Sequence, residues 1–183
     1  LFATAVTITW LAVISRNRRA MQTVLVAALL CLAVWQFMPE VLTQRGLSYR
    51  TEIWSDVWRQ VSARLWLGYG YDAPLTVVLH DLPLTLLDSH NMTLSVLFMG
   101  GMVGLALWMA LYAAALYESW RWRDDALVQI FSSTMLYGLA AGMTEGGSFI
   151  SRPKEHWFLI WIPLSLLAAA CYRARKHGQA SGK

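Results

Sequence analysis

Charge is scarce in this chain. Only 14% of its 183 residues are Asp, Glu, Lys or Arg, while 57% are apolar; an ordinary soluble domain carries roughly a quarter charged residues. The scarcity argues against a soluble enzyme or binding domain. Cysteine is nearly absent too. Cys31 and Cys171 are the only two, each within or at the end of an apolar run, which argues against a disulfide and still more against a metal pair. There is no zinc-ligand spacing, no Ser-His-Asp order with a nucleophile elbow, and no Cys near a His. The one Gly-x-Gly, at Gly68 and Gly70, follows no strand and opens no helix, so it is no nucleotide loop. Repeats and low-complexity stretches are missing, and no cleavable signal peptide is recognisable. The chain starts at Leu1 inside an apolar run, as expected of a C-terminal portion of something longer.

Long apolar runs and tryptophan are what the chain has in plenty. Ten Trp suit a protein with two membrane interfaces to fill. Residues 1–14 are apolar but too short to span. Residues 20–38 are long enough to cross a hydrocarbon core of about 30 Å at 1.5 Å per residue, and Pro39 and Glu40 end the run. Further spans are expected at 92–117, where Gly100, Gly101 and Gly104 permit close helix packing, at 126–144, and at 157–172. The expected fold is all-α: a polytopic helical membrane protein with a large periplasmic loop that contains an interfacial amphipathic helix. Its parts are the transmembrane helices of 1–38 with a cytoplasmic turn, the loop 39–91, three transmembrane helices in 92–172, and a tail, 173–183.

The few charges orient these spans. One side collects nine Lys/Arg (16, 18, 19, 121, 123, 173, 175, 176 and 183) against three acids (118, 124 and 125), and the other six against eight. The positive-inside rule makes the first side cytoplasmic and turns the loop outward. The net charge of +4 is then a matter of topology and not of nucleic-acid binding.

The loop is the one long stretch that lipid cannot hold. Residues 48–67 read as a helix lying on the membrane surface: Tyr49, Ile53, Val57, Val61 and Leu65 recur every four residues, beside Trp54 and Trp58, with charges between. Ser48 would cap it. Arg50 then falls in the first turn, where a cation opposes the helix dipole; a bound phosphate would reconcile the two. Pairing with Glu52 or contact with a lipid phosphate explains it equally well. His90 stands where the loop meets the next apolar run, in Asp88-Ser89-His90-Asn91. It is either a passenger beside a cap made by Ser89 or Asn91, or a general base with a carboxylate two residues away. His80, next to Asp81, is a rival without a helix end to fix it. His156 looks like an interfacial anchor. A second outward hairpin brings Glu145, Arg152, Lys154 and Glu155; Arg152 and Lys154 are either paired with those acids or held for an anionic ligand. Asn91-Met92-Thr93 matches a glycosylation sequon by chance of position.

In order and spacing, the stretches Ser48-Tyr49-Arg50-Thr51-Glu52-Ile53-Trp54, Trp66-Leu67-Gly68-Tyr69-Gly70, and Asp88-Ser89-His90-Asn91 before a Gly-containing span form a pattern. It resembles the bacterial O-antigen ligase superfamily over roughly residues 20–172. The resemblance implies a membrane glycosyltransferase of the inner membrane. It would move a glycan from undecaprenyl diphosphate to the lipid A–core oligosaccharide at the periplasmic face, without a cofactor. O-antigen polymerases and protein O-oligosaccharyltransferases share the pattern. By the same resemblance Arg50 binds the donor diphosphate and His90 acts on the acceptor hydroxyl. Arg152, Lys154 and Asn91 join as substrate-binding candidates, and upstream transmembrane helices of a longer protein and membrane lipids are the other partners. A further Arg of the family has no counterpart here; Arg45 is near but lacks the motif.

A non-catalytic transport or sensor module is the rival class. It expects polar or broken helices at mid-membrane, and the spans hold few ionisable groups in their centres. The outward acids form no Asp-x-Asp pair, and the adjacent Asp124 and Asp125 fall on the opposite side. Guanidinium groups are therefore expected to carry the diphosphate charge in place of a metal.

Overall fold

The computed structural model describes residues 2–37, 50–78, 85–145, 147 and 155–180. Helix α1 is Phe2–Ile14 and α2 Arg18–Phe37, a 20-residue helix that matches the expected first crossing in length. Asn17 accepts from the N–H groups of Arg19 and Ala20 to start α2. Helix α3 is Arg50–Ala63. A two-residue antiparallel ladder follows, β1 (Val77–Val78) with β2 (Thr85–Leu86), in the register Val77 to Leu86 and Val78 to Thr85. Then come α4 (Met92–Arg121), α5 (Ala126–Glu145), α6 (Glu155–Leu159) and α7 (Trp161–Ala180). Among the described residues the fold is helical, as expected, apart from that two-residue ladder.

Three helices among the described residues are long and apolar enough to cross a membrane: Met92–Arg121, Ala126–Thr144 and Trp157–Gln179. They pack around a core of Met92, Val96, Trp108, Tyr112, Val128, Met135, Ile160 and Leu167. Helix α1 lies against α5, where the Trp10 indole N–H donates to Ser132 Oγ at 2.9 Å. At one end of the bundle Asp125 starts α5 by accepting from the N–H groups of Leu127 and Val128. The same carboxylate binds the Arg173 guanidinium at 2.6 and 2.8 Å, tying the α4–α5 turn to the basic end of α7. Residue 147, just beyond α5, meets Asp88 at the other end.

The expected uninterrupted span from Met92 is broken. Gly101 has φ 59° and ψ −158°, so α4 is two helices joined at a kink. The Val96 carbonyl oxygen lies 3.6 Å from the place a Cβ on Gly104 would take, although eight residues of straight helix rise about 12 Å. The glycines here bend a helix rather than let two helices approach. A bend frees carbonyls on one side and N–H groups on the other, and in a lipid-facing helix each must find a partner. Residues 65–70 supply them. Tyr69 and Gly70 N–H donate to the Phe98 and Met99 carbonyls at 2.9 Å each, and the Leu65 and Trp66 carbonyls accept from Met102 and Val103 N–H at 2.8 and 3.2 Å. Backbone meets backbone so closely that a Cβ on Gly68 would stand 2.5 Å from Phe98 O, and one on Gly101 2.4 Å from Trp66 O.

This contact also ends α3 at Ala63, short of the expected Leu67. Ser48 and Tyr49 lie outside the described residues. Leu65 belongs to the turn beyond the helix. The apolar face of α3 is covered by protein: Ile53, Val57 and Val61 are buried with Leu75, Val77, Leu97 and Phe98. Gln60 fastens the same face by donating to the Thr76 carbonyl at 2.8 Å. On the outer face Arg59 pairs with Asp56.

Candidate active site

The N-terminal turn of α3 and the turn before α4 carry the sequence candidates. Asn91 caps α4: in extended conformation (φ −152°, ψ 110°), its side-chain oxygen accepts from Leu94 N–H at 3.1 Å. Just before it, His90 takes φ 48°, a left-handed conformation uncommon outside glycine, although Asn, Asp and His adopt it more readily than other residues. Neighbouring groups hold it there. Asp88 Oδ1 accepts from the His90 backbone N–H at 2.9 Å. Ser89 is fully buried; its hydroxyl donates to the Asn91 carbonyl at 2.7 Å, accepts from Asn91 N–H at 3.2 Å, and meets Ser95 Oγ at 2.9 Å.

Asp88 thus differs from the role its spacing suggests. Its carboxylate shapes the backbone under the imidazole instead of orienting the ring. Its other oxygen faces Gly147 so closely that a Cβ there would stand 2.2 Å away, so residue 147 also lies against this turn.

One hydrogen bond joins the two sequence motifs. The Trp54 indole N–H, on α3, donates to the Ser89 carbonyl at 3.2 Å. Arg50 sits one turn earlier, and residues four apart share a helix face, so Arg50 lies on the stripe of α3 that docks on the His90 turn. Burial of Ile53 against Leu97 and Phe98 fixes the same docking. A cation at a helix N-terminus and an imidazole on a constrained turn are thereby carried by two elements that pack against each other. The first can hold a phosphate and the second can exchange a proton.

Sequence reasoning missed the parts that build this arrangement. Trp54 was visible as a member of a motif but not as a donor. Ser95 carries no local signal, because its partner is six residues away across a helix start. Gly147 is far off in the chain. Arg152, Lys154, His80 and Arg45 lie outside the described residues. Among the described residues His, Cys, Asp and Glu nowhere gather in threes as a metal site would require.

Residues 1–109 match the family described as O-Antigen ligase, a segment that includes α3, the broken first half of α4, and the Arg50 and His90 motifs. The chain belongs to the O-antigen ligase family. A protein of Pseudomonas aeruginosa named O-antigen ligase is 47% identical over 166 residues, covering 91% of this chain and 41% of that relative. The chain thus spans about two fifths of the relative's length. No solved structure matches it. Membership in the O-antigen ligase family agrees with the resemblance read from the motifs, and the apolar helices fit a membrane protein.

Proposed function

We propose that this chain carries part of the active site of a membrane glycosyltransferase. In this reading it joins an O-antigen-type glycan to the lipid A–core oligosaccharide at the periplasmic face of the bacterial inner membrane. The donor is the glycan on undecaprenyl diphosphate. An acceptor hydroxyl attacks the anomeric carbon of the donor sugar, the carbon–oxygen bond to the diphosphate breaks, and the carrier diphosphate leaves. His90 takes the hydroxyl proton. Arg50, with the N–H groups at the start of α3, stabilises the charge that grows on the diphosphate. Asn91, Arg152 and Lys154 assist substrate binding. The observation that supports this best is the Trp54–Ser89 bond, because it links the Arg50 helix to the His90 turn within a family of ligases.

The broken α4 is the one feature that favours a transport module, since transporters line their sites with broken helices. Here the freed backbone groups bond to residues 65–70 and so are not offered to an ion.

Lipopolysaccharide gels test the proposal in a strain lacking the full-length protein. Core without a ladder is the expected result. Core bearing a single repeat would reassign the protein as a polymerase, and an unchanged pattern would remove it from this chemistry. Complementation with Arg50→Lys is expected to restore no ladder at normal protein level, since an ammonium lacks the guanidinium fork.

A further inference from the structure

We infer that the turn after α3, residues 64–71, is a wedge that dips into the outer edge of the hydrocarbon core and lies against lipid chains. The inference rests on α4 crossing the membrane and is independent of the transfer reaction. The second half of α4 sets the depth. Counting back from Glu118, the nearest charge at its far end, residues 102–117 rise about 24 Å. The hydrocarbon core is about 30 Å thick, so the break at Gly101 falls inside its boundary, and any tilt of the helix lowers it further.

Backbone at that depth has to be satisfied by protein, and the four bonds from residues 65–70 do this. Those bonds place the turn at the level of the break. Its composition agrees: residues 65–71 read Leu-Trp-Leu-Gly-Tyr-Gly-Tyr, uncharged, between Arg64 and Asp72. Tyr69 faces inward, stacked on Phe98 with ring centroids 4.7 Å apart. Trp66 and Leu67 face outward at 72% and 75% exposure. Two large apolar side chains so exposed, on a backbone pinned below the membrane surface, fit hydrocarbon as their surroundings. The Arg64 guanidinium, over the Tyr69 ring at 5.0 Å, is in reach of the headgroup layer.

Spin-label accessibility in phospholipid vesicles decides this. The full-length protein is labelled at Leu67→Cys, with its native cysteines, Cys31 and Cys171 among them, replaced by Ser, and compared with labels at Asp72→Cys and at Leu107→Cys on the exposed side of α4. The expected result at Leu67 is high collision with oxygen and low collision with a water-soluble nickel chelate, as at Leu107, with the reverse at Asp72. Nickel collision at Leu67 equal to that at Asp72 would place the turn in water and overturn the wedge. An immobile label at Leu67 that meets neither quencher would show a protein partner there and also overturn it. If Leu107 itself reads as aqueous, the membrane crossing of α4 fails and takes the wedge with it.

Discussion

Among the described residues two other than glycine adopt positive φ, Arg16 at 52° and His90 at 48°, and they do so for different reasons. Arg16 stands between α1 and α2. It is exposed, and its N–H bonds to the Val13 carbonyl at 3.2 Å, the ordinary way a helix ends in a left-handed residue. His90 is half-buried, and its turn is gripped by Asp88, Ser89, Ser95 and Trp54. The first conformation is local and replaceable. The second is held by side chains on both flanks of the turn and by one from α3, the kind of over-determination that lets a sparsely populated conformation persist.

The sharpest way to break this comparison is to replace both residues by glycine, which accepts positive φ at no steric cost. His90→Gly should leave the protein folded yet lower transfer by at least about 100-fold, the scale of a lost general acid or base, read in a glycan-transfer assay on purified full-length protein. Normal transfer in this variant would end the general-base role.

The next effect in size concerns the glycines of the helix break. Gly101→Ala puts a Cβ 2.4 Å from the Trp66 carbonyl at φ 59°, combining strain and overpacking, for a loss of about 3 kcal/mol. Gly70→Ala meets nothing within 4 Å at φ 90° and should cost only about 1 kcal/mol. Thermal unfolding in detergent would rank the two, and equal values would show that the backbone contact is not what matters.

Trp54→Phe keeps a ring but loses the N–H that reaches Ser89. A reduction of about 10-fold in transfer rate is expected, because small misplacements of reacting groups are costly. Donor KM should stay near its original value. A rate equal to the parent would show that α3 docks without this bond. Arg16→Gly should do least of all: unchanged transfer, and a stability change within about 1 kcal/mol.

Much of the chain was legible as sequence because the relevant physics is local or compositional. Apolar run lengths marked four spans, three of which are helices long and apolar enough to cross a membrane, and Ser89 or Asn91 before an apolar run marked a cap, which Asn91 makes. Spacing marked the α3 face. What stayed hidden depends on partners far along the chain. Gly101 looks like any small residue in a span until the backbone of residues 65–70 is seen beside it. The buried face of α3 has the periodicity of a surface-lying helix, and periodicity does not say whether protein or lipid covers it. Asp88 two residues from His90 suggested a carboxylate that orients the imidazole, whereas its Oδ1 accepts from the peptide N–H. The ladder of Val77–Val78 and Thr85–Leu86 is too short to leave a pattern.

The Asp125 carboxylate has a consequence for how the chain is made. Its capping partners Leu127 and Val128 follow within three residues, while Arg173 follows 48 residues later. During synthesis α5 therefore has its start secured almost as soon as it emerges. The clasp can close only after α7 has followed. Asp125 thus works first as a cap on a growing hairpin and later as a latch that records the arrival of α7.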